Sequence, residues 1–398
     1  MPGFELFSDL ERKEVHDVLD NGVLMRYGFD GMRNGHWKAK ELEAELATTL
    51  KTNHVQLVSS GTAAVSIALA SAGVGAGDEV IMPSFTFVAS FEAIMMLGAI
   101  PVLVDIDDTL ALDPKAVEAA ITPRTKAVMV VQMCGSMGHM DALQEICRKH
   151  NLLFIEDACQ AIGGTYNGKP LGSIADLGCF SFDFVKTITC GEGGAVITNN
   201  PDYYRNADHF SDHGHDHIGN DRGAESHPFL GYNFRVSELH AAVGLAQVKR
   251  LPEFIEIQKK HYTILRNALS RIPGVTFRTV PKGGEESYAF LNFFLPDLES
   301  ARKVNAAFKE NGIDACFHYY DNNWHYVRKW DHLKNMKSLY PISTEVKKGL
   351  EYLETKTFEQ SDHYIARNLS CLIKLSWTEE EVKQRAEKMV ECVQKALS

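Results

Sequence analysis

The sequence is short of positive charge. Its 398 residues carry 41 lysines and arginines against 52 acidic residues, a formal net charge of −11. A nucleic-acid binder shows a basic stripe on a basic domain, and no such stripe occurs here. Long apolar runs are missing too. The longest, "AIMMLGAIPVLV" at 93–104, is broken by Gly98 and Pro101 and falls short of the roughly 20 residues that cross a bilayer. The N-terminal "MPGFELFSDLERKEV" has no basic flank and no apolar stretch, so it does not read as a secretory signal. The eight cysteines include no C-x-x-C pair. Cys134, Cys159, Cys179 and Cys371 lie in apolar or strand-like runs, which predicts buried free thiols in a reducing cytoplasm and no disulfide framework. Repeats and low-complexity tracts are absent. What remains is a cytoplasmic globular protein with neither membrane nor nucleic acid as partner.

The length exceeds what one core fills, since single cores stop growing at roughly 250–300 residues. Between about residues 55 and 200, β-branched runs ("DEVIMP", "IPVLVDI", "TKAVMVVQ", "LLFIED", "LGCFSF", "GGAVITN") alternate with helical patterns at 62–73, 87–97, 113–121 and 140–150. Such alternation predicts an α/β fold with a mostly parallel central sheet covered on both faces. After about residue 250 the pattern changes to a long helix (252–270), strands "VTFRTV" and "YAFLNFFL", and a final helix from "TEEEV". The expected division is a large α/β domain over 1–250, including an N-terminal helical segment, and a smaller α+β domain over 251–398.

Three stretches carry chemistry. "SSGTAAVSIALASAG" opens a helix after a strand; small residues there let backbone N–H groups approach an anion, favoured by the helix dipole. Ser60, Gly61, Thr62 and Ala63 are candidate phosphate binders, although a Ser-capped core helix reads the same way. "LLFIEDACQAIGG" ends a buried strand in Glu156 and Asp157, where α/β sheets bind ligands. An acid there can hold a protonated nitrogen and Gln160 a neighbouring oxygen; helix capping is the plainer alternative. "CFSFDFVKTITCGEGGAVITN" contains Lys186, the only lysine between Lys169 and Lys249. A lysine walled in by apolar groups has its pKa lowered and becomes a nucleophile, as a Schiff-base lysine requires. Anion cradle, strand-end acid and lone lysine are together what pyridoxal phosphate needs.

With "GDEVIMPSFTFVAS" and "GYNFRVSELHAAVGLAQ", these stretches resemble the fold-type I aminotransferases of the DegT/DnrJ/EryC1/StrS group over nearly the whole chain. The resemblance implies a catalytic Lys186 that bonds the cofactor and moves protons, and Asp157 on the ring nitrogen. It implies Gln160 on the ring's phenolic oxygen, Phe87 stacked on the ring, and Ser60, Gly61, Thr62 and Ser181 around the phosphate. Asn233 would reach the cofactor of a neighbouring subunit, which requires a homodimer with shared sites, and Arg235 would bind a substrate anion. One branch of the group has histidine in place of the lysine and dehydrates its substrate; Lys186 favours amino transfer, with L-glutamate becoming 2-oxoglutarate.

The stretch "FSDHGHDHIGNDRG" at 210–223 alternates His213, His215 and His217 with Asp212 and Asp216. Histidines so dense suggest a metal, but a metal needs ligands on a firm scaffold and this is a glycine-containing loop. No metal is expected. His213-Gly214 sits where the group carries such a pair before "GYN", which implies a specificity loop. The segment "LMRYGFDGMRNGHWKAKELE" and the stretches "NNWHYVRKW" and "SCLIKLSW" depart from members that act on nucleotide sugars. They resemble a branch that aminates the C8 aldehyde of a free acidic octulosonate. Arg26, Tyr27, Arg33, His36, Lys38, His213, His215, His217, Arg222, Arg235 and His325 are the expected substrate contacts, the cations pairing its carboxylate. A 3- or 4-keto nucleotide-sugar aminotransferase is the alternative acceptor reading. A non-catalytic cofactor-binding regulator is disfavoured by the presence of Lys186, Asp157 and Gln160.

Overall fold

The computed structural model describes residues 2–219 and 221–398. Helices α1 (Asp9–Asn21) and α2 (Lys38–Leu50) precede strand β1 (His54–Val58) and helix α3 (Gly61–Ser71). Then strands and helices alternate: β2 (Glu79–Pro83), α4 (Val88–Met96), β3 (Ile100–Val104), α5 (Pro114–Ala119), β4 (Thr125–Val131), α6 (Met140–His150) and β5 (Leu153–Asp157). A short hairpin, β6 (Thr165–Tyr166) and β7 (Lys169–Pro170), leads to β8 (Leu177–Ser181) and β9 (Gly194–Thr198). The seven long strands form one sheet in the order β1-β9-β8-β5-β4-β2-β3. All neighbours from β8 to β3 pair in parallel, and only β9 runs against its neighbours.

Period-two alternation decides which side chains go to which face. On β2, Val80 and Met82 join the core on one side while Ile81 joins the other; on β4, Met129 opposes Val128 and Val130 in the same way. Both faces are therefore apolar, as expected of a parallel sheet under helices.

Helices α7 (Pro201–Ser211), α8 (Glu238–Lys249) and α9 (Leu251–Leu269) lead to a second sheet, with α8 packed against α1 and α2. This sheet comprises β10 (Thr276–Phe277), β12 (Phe290–Phe294), β13 (Cys316–Phe317) and β14 (Asn368–Leu372), while β11 (Gly284–Glu285) pairs with β6. With α9, α10 (Leu298–Glu310) and α14 (Glu379–Leu397) it encloses a third core around Leu291, Phe293, Phe308 and Met389. The intervening α11 (Asp331–Lys334), α12 (Thr344–Leu350) and α13 (Glu359–Ile365) turn back: Trp330, Val346, Leu350 and Ile365 pack into the first core of the large sheet.

One expectation about cysteine is corrected. Cys371 is not a free thiol: the antiparallel register sets it opposite Cys316, and the two form a disulfide between positions 55 apart. Register between distant strands leaves no local mark in a sequence. Cys134, Cys159 and Cys179 are free, Cys159 only partly buried. Among the described residues, no helix is long and apolar enough to cross a membrane.

Candidate active site

A cavity of about 250 Å³ opens where the parallel strands end. Each wall is the residue or turn that follows a strand: Ser60–Thr62 after β1, Thr86 and Phe87 after β2, Gln132 and Met133 after β4, Asp157 at the end of β5, and Ser181 at the end of β8. Ligands of α/β sheets bind at this edge because strand C-termini deliver side chains and helix N-termini deliver free N–H groups.

The helix start is built for an anion. Ser60 caps α3, its hydroxyl accepting from Ala63 N–H at 3.1 Å. The N–H groups of Gly61 and Thr62 find no acceptor among the described residues. Gly61 is required by proximity: a Cβ there would lie 2.7 Å from Ser181 Cβ. Gly194 is required likewise, since its Cβ would fall 2.3 Å from the Ser60 carbonyl oxygen. The strand-end glycine thus lets the cradle sit directly on β9.

Alternation separates the two acids that end β5. Glu156 points away and is fully buried, accepting from Gln132 Nε2 and the N–H groups of Gly172, Ile174 and Ala175. Asp157 points into the cavity, where it accepts from Ser90 Oγ at 2.7 Å and Cys159 N–H at 3.2 Å. Ser90 Oγ in turn lies 2.8 Å from Thr86 Oγ, so a hydroxyl pair fixes the carboxylate rotamer. Ser90 and Thr86 are absent from the sequence reading; their signal is the hydroxyl spacing inside "SFTFVAS". Burial and the Asp157 charge push the Cys159 thiol well up, so it stays protonated and inert.

Gln160 Oε1 accepts from Cys134 N–H at 2.9 Å, which turns its amide nitrogen towards His325 Nε2 at 3.4 Å. His325 belongs to a strap that crosses the cavity wall: Thr86 N–H bonds its carbonyl at 2.9 Å, and Phe85 bridges Tyr326. Its ring packs beside Phe87 with centroids 5.4 Å apart. Burial, with the charge of Lys186, pushes its pKa down to about 3, so His325 is a neutral neighbour rather than a cation. Lys186 lines the cavity from the loop after β8, its N–H bonded to the Asp183 carbonyl at 3.0 Å. It is half-buried between exposed Val185 and buried Thr187, so the closed apolar wall expected around it is only partly present in one chain.

The loop histidines and arginines form a separate structure, and most expected substrate contacts are corrected by it. Asp212 is fully buried and receives His217 Nε2 at 2.9 Å, Arg222 at 2.9 Å and Arg235. Burial alone would raise its carboxyl; these three partners outweigh it and hold the group far below the carboxylate range. The other ring nitrogen of His217 meets Asp208 at 2.8 Å, and its ring stacks on Tyr27 at 4.1 Å. Burial would lower His217, but the two carboxylates push it up to about 9. Tyr27 donates to Asp208 at 2.9 Å. His215 lies 2.8 Å from Glu225 without the alignment of a hydrogen bond. His213 is exposed at a left-handed turn, its carbonyl receiving His227.

The cations of the N-terminal segment are engaged as well. Arg26 pairs with Glu43 at 2.6 Å and bonds the Leu57 carbonyl. Arg33 bonds the Gly28 carbonyl and faces Glu238 at 3.4 Å, and Lys38 lies between Glu14 and Asp17. His36 lies 3.9 Å from Asp17. None of these, and none of Tyr27, His213, His215, His217, Arg222 or Arg235, lines the cavity. A buried charge needs a partner, and each of the buried cations found one inside the chain. Asn233 is exposed outside the cavity, on a stretch with exposed Leu230 and Tyr232.

Anion cradle, supported acid, a cavity wall at Phe87 and a lysine fit pyridoxal phosphate and define a cofactor-dependent enzyme of fold type I. The chain belongs to the DegT/DnrJ/EryC1/StrS aminotransferase family, whose pattern matches residues 8–384. It is 36% identical over 308 residues to 3-amino-5-hydroxybenzoate synthase of Amycolatopsis mediterranei, covering 76% of each chain. It is 33% identical over 336 residues to GDP-perosamine synthase of Vibrio cholerae, covering 84% of this chain and 87% of that one. The crystal structure of 3-amino-5-hydroxybenzoic acid synthase superposes with a TM-score of 0.82 at 30% identity, over 98% of this chain and 97% of that one. The protein is a pyridoxal-phosphate-dependent sugar aminotransferase.

Proposed function

We propose that the chain is the 8-amino-3,8-dideoxy-manno-octulosonate transaminase, moving the amino group of L-glutamate to the C8 aldehyde of oxidised Kdo for lipopolysaccharide. The convergence of Lys186, Asp157, Gln160 and the Gly61 cradle on one cavity carries the chemistry. The acceptor reading rests on the stretches that set this chain apart, one of which, the strap bearing His325, touches the cavity residues Thr86 and Gln160.

Bound pyridoxal phosphate supplies the electron sink that lets a proton leave the carbon bearing the amino group. Asp157 would hold the ring nitrogen's proton, with Ser90 and Cys159 N–H fixing its two oxygens. Gln160 would present its amide to the ring's phenolic oxygen, and Phe87 would cover a ring face. Gly61, Thr62 and Ser181 would receive the phosphate. Lys186 Nζ takes the proton from the donor's Cα and returns one to the sugar carbon.

A homodimer with shared sites belongs to this proposal. Phe184, Leu230 and Tyr232 are about half exposed or more and would be covered by a second subunit, which would bring Asn233 to the neighbouring phosphate. Arg26, Arg222 and Arg235 are no longer part of the substrate contacts. Work in the cytoplasm, on a free acidic sugar, completes the reading. Turnover with glutamate and the C8-oxidised acid, compared with a 4-keto nucleotide sugar, tests it. Amination of the acid alone is expected; amination of the nucleotide-linked ketone alone would replace the acceptor and leave the family chemistry in place.

A further inference from the structure

Besides the protonated Cys159, the ionisable groups lining the cavity are Asp157, Asp183, Lys186 and Glu192. Asp157 has its own partners and the ring nitrogen to hold. Asp183 and Glu192 differ: among the described residues neither carboxylate has a hydrogen-bond or ion-pair partner, although ion pairs are numerous there. The backbone that carries them is held in place nonetheless. Asp183 N–H bonds Ser181 Oγ, and Asp183 bridges Gly191, so the two acids sit on facing sides of one loop. That loop is anchored by buried Phe182, Thr187, Ile188 and Cys190, with Cys190 N–H bonded to the Phe182 carbonyl at 2.8 Å. Asp183 is partly buried and Glu192 exposed, so both carboxylates, without internal partners among the described residues, are open to what enters the cavity.

Their sign also decides orientation. A substrate carboxylate placed here would face two like charges, of which Glu192 is exposed and Asp183 partly buried, and like charges repel at contact distance. Hydroxyl groups would instead donate to them in charge-assisted bonds. We infer that Asp183 and Glu192 are specificity-determining residues that accept hydrogen bonds from the hydroxyls of the acceptor sugar, so that the polyol end enters first and any anionic end stays outward. This deepens the proposed function and rests on it for the identity of the sugar. It matches an aldehyde at the far end of a chain from its carboxylate.

The same charges oppose glutamate, an anionic donor, which gives the test its leverage. The holoenzymes Asp183→Asn and Glu192→Gln are compared with wild type by kcat/KM for the acceptor divided by kcat/KM for L-glutamate. That ratio is independent of the fraction of folded enzyme. It should fall at least tenfold in each variant, because hydroxyl acceptors weaken while repulsion of the donor is relieved. An unchanged or increased ratio overturns the inference. The wild type is first assayed on the oxidised octulosonate and on a nucleotide-linked ketone, and the variants on whichever it aminates. The wild-type result thus judges the substrate, and the variants judge the role of the two acids.

Discussion

Two loops after neighbouring elements hold similar residues and use them in opposite ways. Loop 182–193 follows β8 and presents Asp183, Lys186 and Glu192 to a cavity, with no internal partner for either acid among the described residues. Loop 212–235 follows α7 and contains more charge, yet Asp212 gathers His217, Arg222 and Arg235 around itself. The first loop keeps its backbone fixed and its charges available. The second neutralises its charges and so fixes its own shape against Tyr27 of the N-terminal segment. Between these two loops, the cavity receives the charges without internal partners, and residue density alone does not reveal which loop has them.

The comparison breaks most severely at Lys186. Lys186→Ala should lower multiple turnover by at least about 10³-fold, the usual scale for losing the group that moves the proton. Steady-state assay checks this, and sustained turnover without added amine would contradict it. Next comes Asp212→Asn, which leaves Arg222, Arg235 and His217 around a neutral amide. Partial exposure of those cations discounts the cost of breaking a buried pair, giving about 1–3 kcal/mol of lost stability. Denaturant midpoints measure it, and an unchanged midpoint would show that the cluster is ornamental. Gly61→Ala drives a methyl into Ser181 and Cys159; overpacking of this kind costs about 1–3 kcal/mol, which should appear as weaker retention of pyridoxal phosphate on dialysis.

The smallest effect is a pH dependence. His217 is raised from 6.5 to about 9 in the folded chain. Its contribution is therefore complete below about 6.5 and is lost as pH rises through about 9. Urea midpoints should fall over that window, and His217→Phe should flatten the fall. Equal slopes in the two proteins would remove His217 from the account.

The chemical core was legible because each member sits in a local pattern. Strand, acid and Gln160 are read within a few residues of one another, the lone Lys186 stands in its own stretch between an aromatic strand and a glycine-rich turn, and the helix start announces its cradle by small residues. The strands from "DEVIMP" to "GGAVITN" were legible for the same reason: apolar runs bounded by turns. Partners across the chain were not. Arg26 finds Glu43 and Arg33 finds Glu238, so a cluster of cations that reads as a substrate site is a set of internal ties. Cys371 finds Cys316 only through strand register. Asp183 and Glu192 lay in view within the lysine stretch, but their lack of partners is visible only once every other charge has been placed.

The most direct test of the central claim, that Lys186 and its cavity run amino transfer on an acidic sugar aldehyde, is spectroscopic. The purified protein is loaded with pyridoxal phosphate and its absorbance followed as L-glutamate and then the C8-oxidised octulosonate are added. A band at about 410–430 nm should bleach towards about 330 nm with glutamate and return with the sugar. A protein that shows no such band after loading, or whose band glutamate leaves untouched, would contradict the account.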